Sequence, residues 1–114
     1  MLTKKEILSA DDQLTEVVEV PEWGGDVKIA IMSGFARDRF EASLIGNNGG
    51  TNMQNIRAKL VAASIIDDAG ELMFSDGDII KLGKKSSVAL DRVFSAAQDL
   101  NKITDSEVDE LAKN

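Results

Sequence analysis

Two runs of strand-forming residues, 15–20 and 26–32, meet across Pro21-Glu22-Trp23-Gly24-Gly25, and this stretch restricts the fold more than any other. It holds the chain's only proline and its only tryptophan. Pro21 fixes its own φ and has no N–H to give a sheet ladder, so the first strand must end there or run along an edge. The glycine pair after Trp23 supplies the φ > 0 conformations of a tight reversal. Beyond it, Val27, Ile29 and Ile31 alternate with Asp26, Lys28 and Ala30, the period of a half-buried strand. Upstream, Thr15-Glu16-Val17-Val18-Glu19-Val20 is rich in β-branched residues. Residues 15–32 are therefore predicted to form a β-hairpin with Trp23 at its tip. A lone hairpin is marginal in water, so helices elsewhere in the chain must cover its apolar face.

The rest of the chain is punctuated for helices. Thr3 and Glu6 stand at capping-box spacing and open a short helix over 3–10, with Ile7 and Leu8 to dock it on a larger body. Ser33 caps a helix over 34–45 whose apolar stripe is Ala36, Phe40 and Leu44, with Gly46 as its C-cap. Residues 46–52 read as a polar loop; they contain neither of the glycine patterns that cradle phosphate. Met53, Ile56, Leu60 and Ala63 return to helical spacing over 53–64. Ile65-Ile66 either prolongs that helix or begins a short strand. Asp67-Asp68-Ala69-Gly70 is a turn after which Glu71-Leu72-Met73-Phe74 can pair back as a second, small hairpin. Ser75 and Asp78 cap a helix over 76–82, stopped by Gly83. Ser86 or Ser87 caps the longest helix, 87–103, where Leu90, Val93, Phe94, Ala97, Leu100 and Ile103 recur at three- and four-residue steps. Thr104 and Glu107 open a last helix over 105–113 that carries Val108 and Leu111.

The expected fold is thus α+β: one domain spanning 1–114, with an N-terminal β-hairpin packed by about four or five helices and a mainly helical C-terminal half. Val20, Val27, Ile29, Phe40, Leu60, Leu90, Phe94 and Ala97 are the expected core. A chain of 114 residues should bury roughly two-thirds of the surface it exposes when unfolded.

Composition removes several functions. Thirteen basic residues against twenty acidic ones give a formal charge of −7, which argues against nucleic acid and anionic membrane as partners. There is no cysteine, histidine or tyrosine, so thiolate chemistry, cysteine-based zinc sites and histidine bases are excluded. Asp67, Asp68, Asp76 and Asp78 are the best candidates for a cation or acid–base site. They fail the spacing of a calcium loop, because Ala69 and Leu72 fall on its third and sixth positions. They read instead as two acidic turns and a helix cap. Gly83-Lys84-Lys85-Ser86 lacks the rest of a phosphate loop. No catalytic, cofactor-binding or metal-ligating residue is assigned, and no cofactor is expected. No apolar run is long enough to span a bilayer, and Met1-Leu2-Thr3-Lys4-Lys5-Glu6 lacks a signal peptide's apolar core, so the chain is read as cytosolic. Trp23 either folds over the core or stands out as a binding anchor. The candidate partner-binding residues are Trp23, Leu100, Ile103, Val108 and Leu111. The terminal helix has so little apolar area that lifting it would uncover the helix before it.

Particular stretches resemble the tail assembly chaperones of long-tailed, siphovirus-type bacteriophages. They are Val20-Pro21-Glu22-Trp23-Gly24-Gly25, the helix at 33–42, and Ser87-Val88-Ala89-Leu90-Asp91-Arg92-Val93-Phe94-Ser95-Ala96-Ala97-Gln98-Asp99-Leu100-Asn101 with Thr104-Asp105. The opening Leu2-Thr3-Lys4-Lys5-Glu6-Ile7-Leu8 fits too, and the resemblance covers nearly the whole chain outside 46–52. It implies a non-enzymatic protein of the infected bacterium's cytoplasm, absent from the mature virion. Such a protein binds the tape measure protein, helps recruit the tail tube subunit and self-associates. It also implies a longer form made by ribosomal frameshifting; Ala112-Lys113-Asn114 permits the slippery spelling A-AAA-AAC, and the extension would contact the tail tube protein. Two other classes stay open: a structural head–tail component of the virion, and a metal-dependent carboxylate enzyme using the four aspartates.

Overall fold

The computed structural model describes residues 1–45 and 54–103. In chain order these residues form α1 (Lys4–Ser9), β1 (Thr15–Val20), a 3-10 turn (Pro21–Trp23), β2 (Gly25–Ala30), α2 (Gly34–Ala42) and α3 (Ile56–Ala62). They continue with β3 (Ile65–Ile66), a second 3-10 turn (Asp76–Asp78), α4 (Ile79–Gly83) and α5 (Ser87–Leu100). The fold is α+β, with the β-hairpin near the N-terminus and the later half mostly helical. The predicted loop 46–52, Gly46 and Met53 lie outside the described residues, as does the helix predicted at 105–113 with Val108 and Leu111.

The hairpin pairs in one continuous register from Thr15↔Ala30 to Val20↔Gly25. Pro21 ends β1 as its missing N–H requires. Only Gly24 takes the left-handed conformation, at φ +76°. Gly25 does not share the turn; it is already the first residue of β2, opposite Val20. Ile65-Ile66 resolves as a strand: β3 pairs antiparallel with Lys28 and Ile29, giving the sheet order β1-β2-β3. The small second hairpin is present in reduced form. Ile66 bridges Leu72, and the Met73 N–H donates to the Ile65 carbonyl at 3.0 Å. Gly70 turns the corner at φ +83°, while Asp67 Oδ1 accepts from the Ala69 and Glu71 N–H groups.

The core lies between the sheet and the helices. Val20, Ile29 and Ile65 meet Leu60 and Val61 of α3, Val93 and Ala97 of α5, and Phe40 and Leu44 at the end of α2, all buried. Leu90 is buried as expected, but Val27 and Phe94 are only half-buried. Leu90, Val93 and Ala97 follow one line along α5, and Phe94 flanks it.

The helices end where local hydrogen bonds take over from the apolar pattern. α2 stops at Ala42 rather than 45, because the Leu44 and Ile45 N–H groups reach back only three residues and tighten the last turn. α3 starts at Ile56 rather than 53 because Asn55 has φ +61°, and it ends at Ala62, where Ser64 Oγ donates to the Leu60 carbonyl (2.7 Å). The helix predicted over 76–82 is a 3-10 turn followed by α4. Gly83 is its last residue, not its stop: a Cβ there would lie 2.9 Å from Asn55 Oδ1 and 3.7 Å from Ala58 Cβ, so glycine lets α4 approach the start of α3. α5 stops at Leu100 rather than 103 in a Schellman motif. Lys102 sits at φ +56°, its N–H donates to the Asp99 carbonyl (3.2 Å), and the Ile103 N–H donates to the Gln98 carbonyl (2.8 Å).

α1 has the predicted capping box but not the predicted docking. Thr3 Oγ1 accepts from the Glu6 N–H (3.2 Å), and the Thr3 N–H donates to Glu6 Oε1 (3.1 Å). Yet Ile7 and Leu8 remain 57% and 75% exposed, and no residue of α1 is buried. Two apolar side chains on a six-residue helix give too little area to hold it down.

Candidate partner-binding surface

The sequence-derived binding residues do not gather into one patch. Trp23 ends the 3-10 turn of the hairpin, half-buried against the core. The turn is tied to α5 by a fork of two hydrogen bonds, from Arg92 Nε to Glu22 Oε1 (2.8 Å) and from Arg92 Nη2 to Glu22 Oε2 (3.0 Å). These bonds hold the Glu22 carboxyl below its ordinary pKa and push the Arg92 guanidinium up. Leu100 stands eight residues further along α5, about 12 Å away by helix rise. It is half-buried, and Ile103 is buried in the core as the closing residue of the Schellman motif. Val108 and Leu111 lie outside the described residues.

At this end of α5 the structure carries a polar junction that the sequence did not advertise. Asn101 is 5% exposed. Its Oδ1 accepts the Met32 N–H (2.8 Å), its Nδ2 donates to the Ala97 carbonyl (2.8 Å), and its own carbonyl accepts from Arg37 Nη1 (3.1 Å). Arg37 in turn pairs with Glu41 one turn along α2. The exit of β2 and the end of α5 are fixed together by the Asn101 side chain, and the start of α2 joins them through its main-chain carbonyl.

Three of the four aspartates have structural work. Asp67 closes its turn. Asp78 accepts from the Ser75 N–H and Oγ, the backbone bond being the larger cause of its lowered pKa. Asp76 takes Arg39 Nη2 at 2.7 Å. Among the described residues no group of three or more acidic side chains is placed to hold a metal ion, and no helix is long and apolar enough to cross a membrane.

Two apolar surfaces remain. The first is the N-terminal arm. Leu2, Ile7, Leu8 and Leu14 are all more than half exposed, and every residue from 1 to 17 is on the surface. Sequence reasoning missed it by treating those side chains as a dock; the readable signal was that no second apolar stripe matched them. The second surface is an open groove of about 510 Å³ between α2, α3 and the segment 72–79. Phe40, Ala62, Ala63, Phe74 and Ile79 line it, and the Arg39–Asp76 pair spans its mouth. Lys59, on its wall, donates to the Ser43 carbonyl at 2.9 Å. Leu72 and Met73 stand exposed nearby in sequence.

The structure is similar to that of the tail assembly chaperone of bacteriophage HK97, with a TM-score of 0.60 and 23% sequence identity, over 89% of this chain and 95% of that one. No family model matches the chain, and no curated protein does. At this identity the likeness is one of fold.

Proposed function

We propose that the chain is a tail assembly chaperone of a long-tailed phage. It binds the tape measure protein while the tail is built, self-associates, and helps bring in the tail tube subunit through a longer, frameshifted form. It works in the host cytoplasm and is left out of the virion. The observation that carries this reading is the fold likeness, which spans nearly the full length of both chains. The exposed apolar arm supports it, since an amphipathic partner helix needs an apolar strip to lie against. Trp23 and Leu100 add half-exposed apolar edges. Ile103, Val108 and Leu111 are the further residues we assign to partner binding.

The test is co-expression with the tape measure protein of the same phage. The tape measure protein should be soluble and co-purify only when this chain is present. Ile7→Asp/Leu8→Asp should reduce that capture with an unchanged circular dichroism spectrum, because neither side chain is buried. Recovery of the chain from purified virions at stoichiometric amounts would overturn the reading in favour of a structural head–tail component.

A further inference from the structure

β1 is the open edge of the sheet. The order β1-β2-β3 gives it β2 on one side and no strand on the other among the described residues. The Ile31 N–H donates to the Leu14 carbonyl at 2.8 Å, which fixes the alternation along the hairpin. Residues 14, 16, 18 and 20 turn their backbone groups toward β2, and Thr15, Val17 and Glu19 turn theirs outward. Three N–H and three C=O groups therefore line a straight six-residue edge with no bulge and no lysine, the usual protections of such an edge. Val17 projects from the solvent face and is 62% exposed.

We propose that this edge pairs with the same edge of a second copy of the chain, antiparallel, about a two-fold axis through Val17. In that register Val17 faces Val17, Thr15 faces Glu19, and Glu16 faces Val18. All the outward groups of one copy meet outward groups of the other, so six backbone hydrogen bonds close and no edge group is left over. No carboxylate lies directly opposite another. The neighbouring registers each carry a defect that this one avoids. A shift of one residue toward the N-terminus sets Glu16 against Glu16, and a shift the other way sets Pro21, which has no N–H, against Thr15. Leu14, exposed on the face that carries Val18 and Val20, comes opposite Val20 of the second copy and loses solvent there. The result is one six-stranded sheet with the helices of each copy on its own half.

This names the surface for the self-association proposed above and rests on that part of the reading. The chain has no cysteine, so single cysteines report directly on the register. Val17→Cys brings two thiols to a hydrogen-bonded antiparallel pair, where Cα atoms stand about 5.5 Å apart, within the range a disulfide spans. Glu19→Cys leaves its thiols four residues out of step, at least about 13 Å apart. Expected results are a dimer mass for the wild type in multi-angle light scattering, a monomer mass for Val17→Lys with an unchanged circular dichroism spectrum, and a disulfide-linked dimer for Val17→Cys but not for Glu19→Cys. A wild-type dimer that survives Val17→Lys, or Glu19→Cys cross-linking as fast as Val17→Cys, would overturn the surface and leave self-association standing. A wild-type monomer at about 100 µM would overturn both, since mass action favours the dimer there.

Discussion

Replacing Asn101 with alanine should unfold the molecule more easily than any exposed change on α5. The side chain is buried, and it is the acceptor for the Met32 N–H at the exit of β2. Truncation leaves that N–H without its side-chain acceptor. The Ala97 carbonyl is not orphaned, because the Asn101 backbone N–H also donates to it at 3.0 Å. The Arg37 contact is to the main chain and survives too. One buried donor is therefore lost, at a cost of about 1–3 kcal/mol, with the small cavity bringing the total to about 2–3 kcal/mol. For a domain of this size that is a fall in Tm of about 8–12 °C. Urea unfolding with Ser95→Ala as an exposed control on the same helix measures it, and amide exchange at Met32 should speed up selectively. A loss below about 0.5 kcal/mol, the scatter of surface substitutions, would refute the claim that this bond closes the junction.

Three further outcomes follow. Lys102→Gly should stabilise the fold by about 0.5–1 kcal/mol in urea melts, because glycine relieves a left-handed lysine that costs about 1–2 kcal/mol and gives part of it back in the unfolded chain. Gly24→Ala should lose about 1–2 kcal/mol with no steric contribution, since nothing lies within 4 Å of the added Cβ and the cost is the φ of +76° alone. The lowered Glu22 pKa stabilises the folded state above the ordinary carboxylate value of 4.5, and that contribution disappears as pH falls through the folded value. The Tm values of wild type and Glu22→Gln should therefore differ at neutral pH and converge in acid; a constant difference would deny the Arg92 fork any role in stability.

The hairpin and α5 were legible because they carry their own punctuation. Pro21 and Gly24 bracket a turn, and a stripe repeated over four turns leaves α5 little alternative. β3 was not, since two isoleucines cannot display a period and become a strand only through Lys28 and Ile29. Two helix ends, the start of α3 and the end of α5, fall inside the predicted bounds for a shared reason. Asn55 and Lys102 take conformations that sequence rules assign to glycine, while Gly83, which looked like a terminator, is a point of close helix approach. Of the site, Trp23 and Ile103 could be ranked as apolar but not as inside or outside, because periodicity does not say what lies opposite a stripe. Asn101 was invisible for the converse reason. Its role depends on a backbone N–H sixty-nine residues away.

Charge decides how an open edge and an open apolar arm can coexist in one chain. Both are ordinarily aggregation hazards, and here Glu6, Asp11, Asp12, Glu16 and Glu19 outnumber Lys4 and Lys5 across them. On β1 these acids do not forbid pairing; they select among registers, and the register centred on Val17 keeps Glu16 of one copy diagonal to Glu16 of the other, about 7–8 Å apart. At that separation the repulsion is about 0.5 kcal/mol in bulk water and a few times more near a protein surface. It should fade with salt, as the screening length drops from about 10 Å at 0.1 M to about 3 Å at 1 M. The proposed dimer should therefore tighten several-fold over that range, measured by sedimentation equilibrium, and Glu16→Gln should remove most of the salt dependence. An interface held by ion pairs would respond in the opposite direction, so a dimer that weakens with salt would exclude pairing through this edge.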